Sequence, residues 1–317
     1  MNFYINKKNL TKNGGPYNFA KILEHELINR FGAKKKFLFP EINLIFSSGR
    51  NYRYSKNILR VDGIFVHSMD KRKKKINQNI FKSIAKADGV IFQSKFSKKL
   101  ILHYLKKNYN LNTKLIKNIV IPNAFSTNHF IKKKINYFKY KHVLLTITRK
   151  SKNKRLKQII DAFKLLDKKK YLLIVIGDYF KEDFIKQKNI KFVGKIENKK
   201  IPFYIKRSDA LIHISKIESC PNAVIECLSS GLPVITNNVG GTKELIKDRG
   251  IILNLDKKEV FSEKYFSDFR CNKYILADGI RQLVKIKRKK NETYSPKNII
   301  KRYYKFFRMI LNDKNKT

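Results

Sequence analysis

Short apolar runs alternate along the chain with stretches in which apolar residues recur every three or four positions. This pattern predicts strands over residues 2–5, 37–45, 58–66, 89–93 and 119–121, and helices over 17–30, 76–87 and 97–107. After Pro122 the sequence turns polar and lysine-rich through Tyr140 and loses its period, as a linker does. The alternation then restarts, with strands expected at 142–148, 171–176, 190–193, 210–214 and 233–236 and helices at 155–166, 199–207 and 222–230. A final helix over 296–311 carries Tyr303, Tyr304, Phe306 and Phe307, enough apolar surface to dock. Strand–helix alternation builds parallel sheets with right-handed crossovers. The expected fold is therefore α/β, with two doubly wound, Rossmann-like parallel-sheet domains facing a cleft. Their expected spans are 1–132 and 133–292, with segment 293–317 packing back on the first. Ligands of such sheets sit outside the carboxyl ends of the strands.

Composition supports this picture and adds one anomaly. A chain of 317 residues with 42% apolar and 12% aromatic residues is globular and long enough for two cores. No apolar run reaches the length of a membrane-spanning helix, and the opening MNFYINKKNL is too polar for a secretory signal. Cys220, Cys227 and Cys271 are odd in number and lack C-x-x-C spacing, which argues against disulfides and a zinc site and for a reducing, cytoplasmic setting. Cys227 lies in an apolar helical stretch and is expected to be a small buried hydrophobe. The anomaly is the formal charge of +48. Basic runs at 34–36, 71–75, 132–134, 168–170 and 285–290 are scattered, as on a solvated surface rather than one footprint. They are not interleaved with aromatics and belong to no nucleic-acid module, so no specific nucleic-acid partner is expected. Peripheral contact with an anionic membrane remains open, with the run at 71–75, ahead of the helix from Ile76, as its natural place.

The candidate chemistry concentrates between Glu218 and Glu244. Glu218-Ser-Cys-Pro-Asn-Ala-Val-Ile-Glu226 places two carboxylates eight positions apart around a strand-to-helix turn. Asn222 is a suitable helix cap, and the amides of Asn222 and Ala223 would favour an anion at the helix start. Carboxylates there can accept hydrogen bonds from sugar hydroxyls. Ser230-Gly231-Leu-Pro233-Val follows as a helix stop and buried strand, and Gly240-Gly241-Thr-Lys-Glu244 as a glycine turn entering a helix. Upstream, Arg149-Lys-Ser-Lys-Asn-Lys154 leaves the first strand of the second domain with a guanidinium and an ammonium suited to phosphate oxygens. In the first domain Gly14-Gly15-Pro-Tyr17 turns from a strand into a helix, where missing side chains allow close ligand approach.

The joint order of these motifs resembles the donor-site signature of family 4 glycosyltransferases, retaining enzymes of the GT-B fold. Arg60-Val-Asp62-Gly63 and the stretch from Ala87 to Ser97 are also similar to segments in one branch of that family, and the resemblance covers residues 1 to 250. It implies a nucleotide-diphosphate sugar as donor and a glycan or lipid-linked hydroxyl as acceptor. Glu226 would hold the ribose, Glu218 the sugar hydroxyls, and the amides of Asn222 and Ala223 the sugar or diphosphate. Arg149 and Lys154 would stabilise the departing diphosphate, and Gly14 and Gly15 would line the ligand. The family's histidine near the start of the cleft strand is absent, leaving Asp62 and His67 as candidate catalytic groups of the first domain. No Asp-x-Asp pair occurs, so no metal or other cofactor is expected. The same fold also supports epimerisation or hydrolysis of sugar nucleotides.

Overall fold

The computed structural model describes residues 1–7, 10–12, 14–66, 70–109, 116–125, 139–257, 261, 268, 270–289 and 291–313. The chain divides into two compact units, Met1–Phe125 with Thr293–Thr317, and Ser126–Glu292. Each is built on a six-stranded sheet whose named pairings are all parallel.

Unit 1 contains β1 (Asn2–Asn6), α1 (Gly15–Phe31), β2 (Lys34–Lys35), β3 (Ile42–Phe46), β4 (Lys56–Val61), α2 (Lys71–Lys86), β5 (Gly89–Phe92), α3 (Lys95–Tyr109) and β6 (Asn118–Val120). The sheet order is β2-β1-β3-β4-β5-β6. β3 and β4 bury nearly every residue, as strands covered on both faces must. Ile80, Phe81 and Ile84 of α2 and Ile101 and Leu105 of α3 pack with Leu59, Val61, Val90 and Phe92. α1 turns inward Phe19, Ala20, Leu23 and Leu27 and stops at Gly32, whose left-handed φ of 59° lets its N–H reach the carbonyl of Ile28. The last helix, α9 (Pro296–Leu311), belongs to this unit and buries Ile299, Ile300, Tyr303, Phe306, Phe307 and Ile310.

Three expectations for unit 1 are corrected. The apolar run from Phe37 does not enter the sheet, and β3 begins only at Ile42. Pro40 has no N–H for a ladder, and Phe39 takes a left-handed φ of 49°, so Phe37–Phe39 project into solvent. β4 ends at Val61, because Gly63, at φ 147°, carries the chain out of the extended line. The basic run 71–75 is not a loop before a helix. It forms the first residues of α2, capped by Asp70, whose carboxylate accepts from the N–H of Arg72. His67, Lys132–Lys134 and Lys290 lie outside the described residues.

Unit 2 contains β7 (His142–Thr148), α4 (Leu156–Phe163), β8 (Tyr171–Gly177), β9 (Ile190–Gly194), α5 (Ile201–Arg207), β10 (Ala210–Ile212), α6 (Asn222–Ser229), β11 (Val234–Asn237), α7 (Thr242–Ile246), β12 (Gly250–Leu253) and α8 (Lys273–Leu283). Its order is β12-β11-β10-β7-β8-β9. The chain winds outward from β7 through β8 to β9, then returns to the other side of β7 with β10. This puts the topological switch point between β7 and β10. Leu144, Phe163, Leu173, Val175, Ile212, Ile235 and Ile280 share one core beneath it.

Phe307 is fully buried, and its ring packs edge-on to Tyr303 at 6.0 Å. Phe307→Ala should therefore cost unit 1 about 3–5 kcal/mol. In urea titrations, probes in unit 1 should report an earlier transition and probes in unit 2 an unchanged one; equal shifts in both would contradict this assignment of α9.

Candidate functional site

At the carboxyl end of β7 the chain passes through Arg149 into a 3-10 turn, Lys152–Lys154, before α4 starts. At the carboxyl end of neighbouring β10 the segment from His213 to Pro221 leads into α6. These two loops meet at the switch point. Lys154 Nζ lies 2.8 Å from Glu218 Oε1, with both side chains largely buried. Asn153 clamps the same loops, its Oδ1 accepting from the N–H of Ile217 at 2.7 Å and its Nδ2 donating to the Ile217 carbonyl at 3.2 Å.

The loop after β11 adds a third side. The N–H of Gly241 donates to the carbonyl of Glu218 at 2.8 Å. Gly240 has a φ of 80°, and a Cβ on it would lie 2.8 Å from the carbonyl oxygen of Lys216. No other residue type fits there without moving the backbone that carries Glu218.

Beneath the three loops lies a buried ionic cluster. Arg155 is fully buried with a left-handed φ of 52°, and its guanidinium grips Asp256 through two bonds of 2.5 and 2.9 Å. Asp256 also accepts from Asn237 Nδ2 at 3.0 Å and lies 3.8 Å from Lys216 Nζ. Its backbone exchanges two further bonds with the Asn238 side chain. Burial pushes the Lys216 ammonium down, while Asp256 opposes that shift. Sequence reading missed Asn153, Lys216, Asn237 and Asp256. Only Asn153 carried a signal, its place beside Lys154 in the phosphate-suited run.

The remaining candidates are placed as follows. The N-cap of α6 is Pro221, not Asn222, so Asn222 and Ala223 are the helix's first two residues. Glu226 lies one turn further and is largely desolvated, which pushes its carboxyl up to about 7. Among the described residues its carboxylate has neither an ion-pair nor a hydrogen-bond partner. Arg149 is exposed at the end of β7, with no ion pair among the described residues. His213 is buried beside Lys154, its Nε2 has no hydrogen-bond partner, and burial pushes its imidazole well below the usual range. It is therefore neutral. Cys227 is fully buried as expected.

Unit 1 holds a second polar cluster, at the carboxyl end of β4. Arg60 is buried between the rings of Phe19 and Phe46, at 4.5 and 4.8 Å. It donates to Asp62, to Asn123 Oδ1 at 2.5 Å and to the Tyr303 hydroxyl at 3.1 Å. Gln93 donates to the same Asp62 oxygen, so two separately noted stretches meet here. Burial pushes the Asp62 carboxyl up, and Arg60 opposes this without cancelling it. Gly14 caps α1, its N–H bound to the Thr11 carbonyl at 2.9 Å, and Gly15 opens the helix at the carboxyl end of β1. Among the described residues no three His, Cys, Asp or Glu side chains gather as a metal site would require.

The state of Glu226 has a measurable consequence. Its folded pKa of about 7 exceeds the ordinary 4.5, so the native state holds the proton more tightly than the unfolded one. Stability from this group is present below 4.5 and is lost as pH rises to about 7, by about 3 kcal/mol in all. Denaturant titrations across this window should show that loss in the wild type and its absence in Glu226→Gln. Parallel curves for the two proteins would refute the assigned burial.

Residues 127–299 match the family model for glycosyl transferases group 1. An uncharacterized 41.2 kDa protein in the cps region of Klebsiella pneumoniae is 32% identical over 133 residues, 41% of this chain and 35% of that protein. The amylovoran biosynthesis glycosyltransferase AmsD of Erwinia amylovora is 23% identical over 283 residues, 79% of this chain and 78% of that enzyme. The chain thus spans about a third of the first relative and about four fifths of the second. Among solved structures, the lipopolysaccharide outer core galactosyltransferase WaaB superposes with a TM-score of 0.64 at 13% identity, covering 97% of this chain and 99% of that one. HepE of Anabaena, in complex with UDP and glucose, gives 0.65 at 13% identity, covering 96% and 98%. At such identities the likeness establishes the fold, the GT-B pair of doubly wound domains. With more than half its length matched by the family model, the chain belongs to the glycosyl transferases group 1.

Proposed function

We propose that this protein is a retaining hexosyltransferase that moves a sugar from a nucleotide-diphosphate sugar to an acceptor hydroxyl on a glycan or a lipid-linked saccharide. The observation that carries this reading is the Lys154–Glu218 pair at the switch point of unit 2, one loop from the unpartnered Glu226. HepE, of the same fold, was solved with UDP and glucose, which supports a nucleotide-sugar donor. In this reading Glu226 accepts hydrogen bonds from the ribose and Glu218 from the sugar. The amides of Asn222 and Ala223 meet the sugar or diphosphate at the start of α6. Arg149 and Lys154 offset the charge that grows on the diphosphate as the anomeric bond breaks, the electrostatic contribution that dominates many transfers. The acceptor oxygen bonds to the anomeric carbon on the face the diphosphate leaves, and its proton passes to a diphosphate oxygen. Asp62 is the acceptor-side group, held for a hydroxyl by Arg60 and Gln93. Gly14 and Gly15 leave room at the end of β1. The three free cysteines accord with a reducing, cytoplasmic setting.

A thermal-shift screen of nucleoside diphosphates and their sugars tests the donor half, since a ligand of the native state raises Tm by mass action. Lys154→Met should weaken the best nucleoside diphosphate about 10- to 100-fold and leave the bare nucleoside within about threefold, as expected for loss of a charge-assisted contact. Unchanged diphosphate affinity would remove Lys154 from the site. Sugar loss to water at the same rate with and without acceptors would replace transfer by hydrolysis.

Asp62→Asn tests the acceptor half. Transfer should fall about 10- to 100-fold, the scale of losing a charge-assisted hydrogen bond that orients the acceptor hydroxyl, with nucleotide affinity unchanged. Because burial raises the Asp62 carboxyl, wild-type activity should decline as pH falls through that raised value. A decline of the same shape in Asp62→Asn would assign it to another group.

A further inference from the structure

Among the described residues, four of the five most exposed large apolar side chains lie together at one end of unit 1: Tyr54 at 73%, Phe39 at 69%, Leu38 at 65% and Phe37 at 62%. They are displayed rather than loosely placed. Phe37 stands edge-on to Tyr4 at 5.2 Å, Tyr4 packs on Tyr52 at 5.9 Å, and Phe39 lies 6.2 Å from Tyr54. The left-handed backbone at Phe39, followed by Pro40, keeps the three consecutive residues out of the sheet. Lys34 and Lys35 of β2, Lys36 just after it, and Arg50 and Arg53 in the loop before β4 flank them, against Glu24 and Glu41 as the acids. Glu24 pairs with Lys35 at 2.6 Å, and Glu41 lies 3.9 Å from the amino terminus.

An apolar tip of this size on a soluble surface marks an interaction site. Its chemistry distinguishes the partner. A second copy of a chain carrying a formal +48 repels the first, so self-association through a basic rim is opposed. A bilayer with anionic headgroups complements both parts. Each basic residue near such a surface strengthens binding roughly fivefold, and aromatic and leucine side chains enter the boundary between headgroups and acyl chains. We infer that the loops carrying Phe37, Leu38, Phe39 and Tyr54 dock unit 1 on an anionic lipid surface, with the apolar tip inserted and the lysines and arginines on the headgroups. Among the described residues no helix is long and apolar enough to cross a membrane.

This places membrane contact away from the run at Lys71–Lys75, where only charge and the partly exposed Phe65 and Ile76 are offered. The tip precedes β3 and β4 and so lies at their amino ends. Asp62 and the Gly14–Gly15 turn lie at the carboxyl ends of strands in the same sheet, about 17 Å away along a five-residue strand. Docking by the tip therefore leaves those loops uncovered, and the inference stands whether or not the proposed transfer is correct.

The chain has no tryptophan, so Phe39→Trp is a sole reporter. Added to vesicles of phosphatidylcholine with roughly one third phosphatidylglycerol, its emission should shift to the blue and be quenched by brominated acyl chains. Tyr274→Trp, in unit 2, should show neither change. In co-sedimentation, the exposed triple variant Phe37→Ser, Leu38→Ser, Phe39→Ser should lose roughly 100-fold in vesicle affinity at unchanged charge. Replacing Lys71, Arg72, Lys73, Lys74 and Lys75 by glutamine should reduce binding less than the triple variant does. Three results would overturn the inference: wild-type binding by the triple variant, a Phe39→Trp spectrum indifferent to vesicles, or a blue shift that follows protein concentration without lipid and so reports a second copy. Nucleoside-diphosphate affinity measured without vesicles should be the same in all these variants, which keeps this test separate from that of the donor site.

Discussion

The candidate site of unit 2 depends on one carboxylate that is almost wholly buried. Asp256 joins Arg155 from the loop after β7, Lys216 from the loop after β10, and Asn237 from the end of β11. Each of those residues stands within three positions of a proposed ligand-facing feature: Lys154, Glu218 and the Gly240–Gly241 turn. Burying an ion pair is costly, and an apolar replacement of equal volume is often as stable. What a salt-linked carboxylate provides here is a single common point for three loops that share no covalent or ladder connection. The left-handed backbone of Arg155 fits this reading. It costs of order 1 kcal/mol or more, and it lets the guanidinium reach Asp256 while Lys154, one residue earlier, pairs with Glu218.

Unit 1 solves a similar problem with the charges exchanged. There the hub is the cation, Arg60, sandwiched between two phenylalanine rings and bonded to Asp62, Asn123 and Tyr303. A lysine could not replace it, because only a planar guanidinium stacks on rings while serving three acceptors in its plane. Tyr303 comes from α9, 243 positions away, so the return of the last helix to this unit completes the polar shell of Asp62 as well as the apolar core. The terminal segment is thus part of the candidate site's support.

Much of this was legible in the sequence, for identifiable reasons. The strands of unit 2 are nearly continuous apolar runs between glycine and proline breaks, so β7, β8 and β11 fall within two residues of their expected bounds. The turns of the Glu218–Glu244 stretch were legible because they depend on local residue types: a proline before α6, and a glycine where the Lys216 carbonyl leaves no room. Asp256 was not legible. It is one acid in an aperiodic stretch, and its role arises from three partners between 19 and 101 positions distant. The Phe37–Phe39 run misled for the opposite reason. Apolar residues usually mark a core, and periodicity alone cannot separate a buried strand from an exposed tip. Pro40 was the available sign that the strand starts later.

Glu226 stands apart from the other acids of the chain. The chain has 72 basic and 24 acidic residues, so an acid has every statistical opportunity to find a cation. Glu24, Asp161, Asp248, Asp256 and Asp268 each do so. Among the described residues Glu226 does not, although desolvation pushes its carboxyl up to about 7. A buried cation beside it would remove the cost, and would also occupy the carboxylate oxygens that a neutral, hydroxyl-bearing ligand needs. Local instability of this kind persists at functional sites and is offset elsewhere in the fold. Asp256 ties together three loops, one of which leads directly into α6, the helix that carries Glu226. The proposed donor site therefore sets a buried, multiply bonded Asp256 cluster beneath a desolvated carboxylate that has no partner of its own among the described residues.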